Sequence, residues 1–146
     1  MSDQLQQRSA IRIYVAIVLG RGLDAEGTYD TPYGRHPNHR VRFSSRVPTG
    51  KRAVTHWRVH WEGKICSVVS ARLQTGRTHQ IRVHMAHIGH PLVGDTTYGH
   101  ASPLVDRHFL HAFHLAFKHP VTGEPLEFRT GLPSDLAPAL DVLRNP

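Results

Sequence analysis

The sequence predicts an α+β protein: a mixed, largely antiparallel sheet with a few short helices. Three observations carry this. Stretches rich in β-branched and aromatic residues that alternate in polarity, the pattern of half-buried strands, occur at 11–18, 53–61, 65–73 and 109–117. Helical spacing of apolar residues is confined to two short stretches, near 79–88 and 135–143. Strands outnumber helices and several follow one another across short turns, which favours antiparallel pairing over crossover connections.

The elements follow in order. Residues 1–10, MSDQLQQRSA, form a polar leader without the apolar stretch of a signal peptide. Ile11 to Val18 is a strand, ended by Gly20, Gly22 and Gly27. Thr28 to Gly50 is rich in Gly, Pro, Arg and His, and reads as a long basic loop with a short strand at Arg40–Phe43. Ala53 to Trp61 is a strand with Val54, His56, Arg58 and His60 on one side. Trp57 and Trp61 share the other side, where core packing is the natural role. Glu62-Gly63-Lys64 turns the chain into a second strand, Ile65 to Leu73, completing a hairpin. Thr78 can cap a helix over His79–Ile88 that buries Ile81, Met85 and Ile88, and Gly89 ends it. A loop spans 90–102. Phe109–Phe117 and Pro125–Phe128 are strands joined by a turn at 119–123, and a last helix covers Asp135–Leu143.

The 146 residues fit one domain and contain no apolar run long enough for a membrane span. The single cysteine, Cys66, has no internal disulfide partner, which points to a reducing, cytoplasmic setting. Charge is more telling. Between Thr31 and Gly94 lie eleven Arg and Lys and one acid, Glu62, a local net of +10 in a chain whose total is +7. Such segregation is the footprint of a face that binds a polyanion, nucleic acid foremost.

The densest chemistry is in Leu73-Gln74-Thr75-Gly76-Arg77-Thr78-His79-Gln80-Ile81-Arg82-Val83-His84. A strand delivers a glycine turn and a helix begins at once, so free N–H groups and the positive end of the helix dipole favour an anion. Arg77 and Arg82 beside that terminus suit a phosphate, or a carboxylate that must stay ionised. The same spacing also fits solvated arginines on a surface helix.

The run LQTGRTHQIRVHMAHIGHPLVGDTTYG resembles the third sequence motif of the RluA-type ribosomal large-subunit pseudouridine synthases. Arg12 to Gly20 is similar to the family's tyrosine-bearing strand. Gly34-Arg35-His36-Pro37 with Arg40, and Gly50 to Thr55, resemble its basic insert. Leu110-His111-Ala112 with 119–123 resembles its C-terminal hairpin. The resemblance covers about 11–143 and implies isomerisation of uridine to pseudouridine in structured, ribosomal RNA, with no cofactor and no metal. It implies catalytic roles for Tyr14, packing on the flipped uracil, and for Arg82, holding the family's nucleophilic aspartate ionised. It assigns RNA binding to Arg35, His36, Arg40, Lys51, Arg52, Arg77 and His79.

The family's nucleophile lies in a His-Arg-Leu-Asp-type motif ahead of the tyrosine strand, and residues 1–13 contain none. Arg21-Gly22-Leu23-Asp24 imitates that motif but follows the strand and carries an extra Gly, and Asp95 matches a different loop position. Residues 11–146 are therefore expected to be a partial catalytic domain, inactive alone, whose Arg82 awaits an acid from elsewhere. An exposed sheet edge or apolar patch, open to self-association, is expected where further strands would pack. The rival readings are an RNA-binding protein without catalysis and a metal binder. His84, His87 and His90 recur every three residues, as do His108, His111 and His114, but Gly89 and the strand periodicity separate them.

Overall fold

The computed structural model describes residues 10–39, 41–118 and 121–144. Among the described residues, seven strands and two helices run in chain order β1 (Ile11–Leu19), β2 (Glu26–Arg35), β3 (Phe43–Ser44), β4 (Lys51–Glu62), β5 (Cys66–Leu73), α1 (Gln80–His87), β6 (Leu110–Lys118), β7 (Pro125–Arg129) and α2 (Ala137–Arg144). They form one sheet in the order β3-β2-β4-β5-β1-β6-β7, and every pairing is antiparallel. The α+β expectation holds. Arg40, the leader 1–9 and part of the expected turn at 119–123 lie outside the described residues.

β1 lies between β5 and β6, and its two faces feed two cores. Tyr14, Ala16 and Val18 face a cluster with Val69, Ala71, Leu73, Ile81, Met85 and Leu92, which seats α1 on the sheet. Ile17 faces the opposite way, into a cluster with Cys66, Val93, Phe109, Leu136 and Ala139, which seats α2. A strand apolar on both sides is what a central position demands. Each fully buried Ile or Met contributes about 1.5–3 kcal/mol, so Ile81 and Met85 hold α1 firmly.

Three expectations need correction. Much of the supposed basic loop is strand: β2 runs for ten residues against β4. Thr31 and Tyr33 point inward in a period of two that the intervening Gly and Pro disguise. Pro32 is tolerated because β3 pairs only with Gly34 and Arg35, leaving β2 an edge at Pro32. The two tryptophans do not share a face. A register shift between Val59 and Trp61 turns Trp61 toward the α2 side, while Trp57 packs on the α1 side. Finally, Thr78 does not cap α1. The N-cap is His79, left-handed at φ 58° and without a side-chain cap.

Candidate active site and nucleic-acid interface

α1 is fixed by polar as well as apolar contacts. The Gln80 side chain donates to the Val54 carbonyl and to Thr55 Oγ1, both at 2.9 Å. Its Oε1 accepts from Thr75 Oγ1 at 2.7 Å and from the Arg77 amide at 3.0 Å, tying the turn ahead of the helix to its first residue. His84 is fully buried, with Thr31 Oγ1 at 2.8 Å from Nε2 and Thr55 Oγ1 at 2.8 Å from Nδ1. Burial, reinforced by neighbouring His87, lowers the His84 pKa to about 4. Both ring nitrogens are occupied, so no lone pair faces a metal. His87 meets Ser45 and Arg46, and His90 Nδ1 meets the Leu19 carbonyl at 2.9 Å. Among the described residues, no three His, Cys, Asp or Glu side chains converge on a metal position.

This scaffold aims Arg82 at Asp95. Arg82 Nε and Nη2 donate to the two Asp95 oxygens, each at 2.9 Å, a bidentate fork with the carboxylate fully buried. The amides of Thr97 and Tyr98 add hydrogen bonds to Asp95 Oδ1, each at 3.1 Å. Burial alone would raise the Asp95 pKa, but the Arg82 and amide bonds outweigh it and hold it below the ordinary range. Gly94 makes the approach possible at φ +80°, where an added Cβ would stand 2.5 Å from the Arg107 carbonyl oxygen. The expectation that Arg82 lacks an acid of its own is thus overturned. Two of its donor positions serve Asp95, and Nη1 makes no hydrogen bond among the described residues. The pair is stacked on Tyr98, whose ring centroid lies 5.2 Å from Arg82 Cζ.

Around this pair gather side chains from three directions. Tyr98 Oη accepts the Phe43 amide at 2.9 Å and lies 2.8 Å from His79 Nδ1. Tyr33, stacked on Phe43, donates to the Thr78 carbonyl. Burial, then the charge of Arg82, lowers the His79 pKa, and the same influences act on His108. Asp95, Tyr98 and Gln80 are not among the site residues the sequence leads one to expect. Asp95 lies thirteen residues beyond Arg82, past the helix end, and no spacing rule joins the two.

The other expected residues divide. Tyr14 packs half-buried against the cluster that holds Ile81 and Met85, but no hydrogen bond or ion pair joins it to Arg82. Arg77 Nε donates to the Arg52 carbonyl at 3.0 Å, and Arg52 grips Asp30 at 2.8 Å, so neither is an unattached cation. Lys51 is exposed at the start of β4. Arg35 lies over the Phe43 ring at 5.1 Å. His36 accepts the Asn38 amide at 3.0 Å and shares a 210 Å³ hollow with Arg42, His87 and Tyr98. Arg35, Lys51, Arg52, Arg77 and His79 therefore border one end of the sheet beside α1.

A profile of the RNA pseudouridylate synthase family matches residues 1–87, more than half of the chain. The chain belongs to that family. Among curated relatives, it is 44% identical to the ribosomal large subunit pseudouridine synthase D of Nitrosomonas europaea over 99% of this chain. It is 41% identical to the protein of that name from Escherichia coli over 97% of this chain, and 46% identical to the uncharacterized RNA pseudouridine synthase YjbO of Bacillus subtilis over 86%. It spans 44%, 47% and 44% of those relatives, under half of each. The solved human RNA pseudouridylate synthase domain containing 1 superposes with a TM-score of 0.72 at 27% identity, covering 99% of this chain and 70% of that one. These relatives make the RluA-type resemblance an assignment, and the superposition extends it to the fold.

Proposed function

We propose that this chain is the portion of an RNA pseudouridine synthase catalytic domain that binds RNA and presents Tyr14 and Arg82, acting on uridine in ribosomal RNA in the cytoplasm. The observation that supports it best is the Arg82–Asp95 fork. It spends two donor positions on orientation and keeps Nη1 for a second anion, a preorganised arrangement suited to a nucleophilic carboxylate. On this reading the nucleophile comes from polypeptide outside residues 1–146. The basic residues about β2, β3 and the start of β4 hold the RNA, and Tyr14 packs on the extruded uracil. No cofactor or metal enters the reaction.

The test is tritium release from ribosomal RNA carrying 5-tritiated uridine. The 146-residue chain alone is expected to release none. Joined behind the upstream stretch of the Nitrosomonas europaea relative, it is expected to release tritium, and Arg82→Ala is expected to abolish release. Turnover by the chain alone would place the nucleophile within 1–146. That Arg82 already holds Asp95, an acid of this chain, also favours a second reading, an RNA-binding protein without catalysis. RNA binding with no turnover in the joined protein would select it.

A further inference from the structure

Tyr98 touches both members of the Arg82–Asp95 pair. Its amide donates to Asp95 Oδ1 at 3.1 Å, and its ring centroid lies 5.2 Å from Arg82 Cζ. The fork fixes Arg82 in the plane of the carboxylate, and a ring against the guanidinium face resists tilting out of that plane. The ring is held in turn at its far end. Tyr98 Oη is 2.9 Å from the Phe43 amide and 2.8 Å from His79 Nδ1. An amide nitrogen only donates, so the hydroxyl oxygen accepts from Phe43 and its proton is left for His79 Nδ1. That direction requires a neutral His79 with its own proton on Nε2. Burial lowers the His79 pKa and raises that of the Tyr98 phenol, which agrees with it.

Two observations set this run apart from ordinary packing. His79 is the one non-glycine residue with a left-handed backbone among the described residues, and such a conformation persists only where the surroundings impose it. Its imidazole is wedged edge-on against the rings of Phe43 and Tyr98, each with centroids 5.6 Å apart. Phe43 begins β3, which pairs with Gly34 and Arg35 of the basic insert, and Tyr98 walls the hollow that also holds His36 and Arg42. We propose that Tyr98 is a positioning residue: anchored by Phe43 and His79, it sets the plane of the Arg82 guanidinium, aims Nη1 at the nucleophilic carboxylate, and ties that plane to the basic insert. The proposal rests on the catalytic reading above only for what Nη1 meets.

The test uses the 146-residue chain with arginine and histidine labelled by heavy nitrogen, read by NMR. His79 is expected to carry its proton on Nε2. Arg82 is expected to show resolved Nη signals, because the fork and the ring slow rotation about its Nε–Cζ bond. Tyr98→Phe removes one oxygen and keeps the ring. It should merge the Arg82 Nη signals and release His79 into a mixture of tautomers, with the circular dichroism of the fold unchanged. His79→Asn, a residue that tolerates the left-handed backbone, removes the acceptor at the other end and should disturb Arg82 in the same way. A proton on His79 Nδ1 or merged Arg82 signals in the unsubstituted chain overturns the proposal, as do Arg82 signals that neither variant changes. In the joined protein, Tyr98→Phe should lower kcat for tritium release on the order of 10-fold with KM for RNA little changed. A raised KM with unchanged kcat would make Tyr98 an RNA contact and overturns the positioning role. No release by the unsubstituted joined protein sinks the catalytic reading alone, and the Arg82 signals still decide whether Tyr98 sets its plane.

Discussion

At the scale of single residues, Arg82 and Asp95 act as one unit. Removing one partner strands the other in a buried position, and breaking such a pair costs about 3–5 kcal/mol. Asp95→Ala and Arg82→Ala are each expected to lower unfolding stability by that order in urea titration. The double replacement Arg82→Met with Asp95→Leu should recover much of the loss, giving a large coupling energy in a double-mutant cycle. Additive losses would show that the pair is not coupled. Gly94→Ala is expected to cost about 1–3 kcal/mol, because its φ of +80° and the Arg107 carbonyl at 2.5 Å leave no room for a methyl group. Arg82 is legible in the sequence because it lies one turn into a helix that follows a glycine turn. Asp95 is not: its role depends on where the chain after Gly89 folds back, which is a matter of packing.

At the scale of elements, α1 is positioned by a polar seam, and His84 is its pH-sensitive member. The folded pKa of about 4 lies below the ordinary 6.5, so between those values the unfolded chain binds the extra proton. Its contribution is present in full above about pH 6.5 and is lost as pH falls toward 4, a change of about 3 kcal/mol. The midpoint of urea unfolding should therefore fall on acidification through this window, and His84→Gln should flatten that part of the profile. An unchanged slope in the variant would assign the effect to other groups. His84 is visible in the sequence, but its partners Thr31 and Thr55 come from β2 and β4, and the sequence of β2 reads as loop. That misreading has a physical cause. Gly27, Pro32 and Gly34 lower strand propensity locally, and pairing with β4 over eight registered positions overrides it. The tryptophans fail for a related reason: alternation predicts a shared face only for an unbroken ladder, and one extra residue near His60 breaks it.

For the whole molecule, the segregated charge predicts how the RNA of the proposed function would be held. A face that neutralises about five phosphates should show log affinity falling with log salt at a slope of roughly −4. Filter binding at low and moderate salt checks this, and a flat dependence would remove the basic face from the account. Arg52→Glu is expected to weaken binding less than Lys51→Glu, since Arg52 is already engaged with Asp30. By itself, the sequence determined the α+β class, the first strand, the two helices and the family resemblance, and it set the expectation of a polyanionic partner. These rest on periodicity, motif and composition, which are local or additive. Only the tertiary structure decided that β2 is a strand, that Asp95 holds Arg82, and that Trp57 and Trp61 part company. Each of those depends on which distant segments meet in space, and a buried contact between segments takes its stability from a geometry that no short window of residues contains.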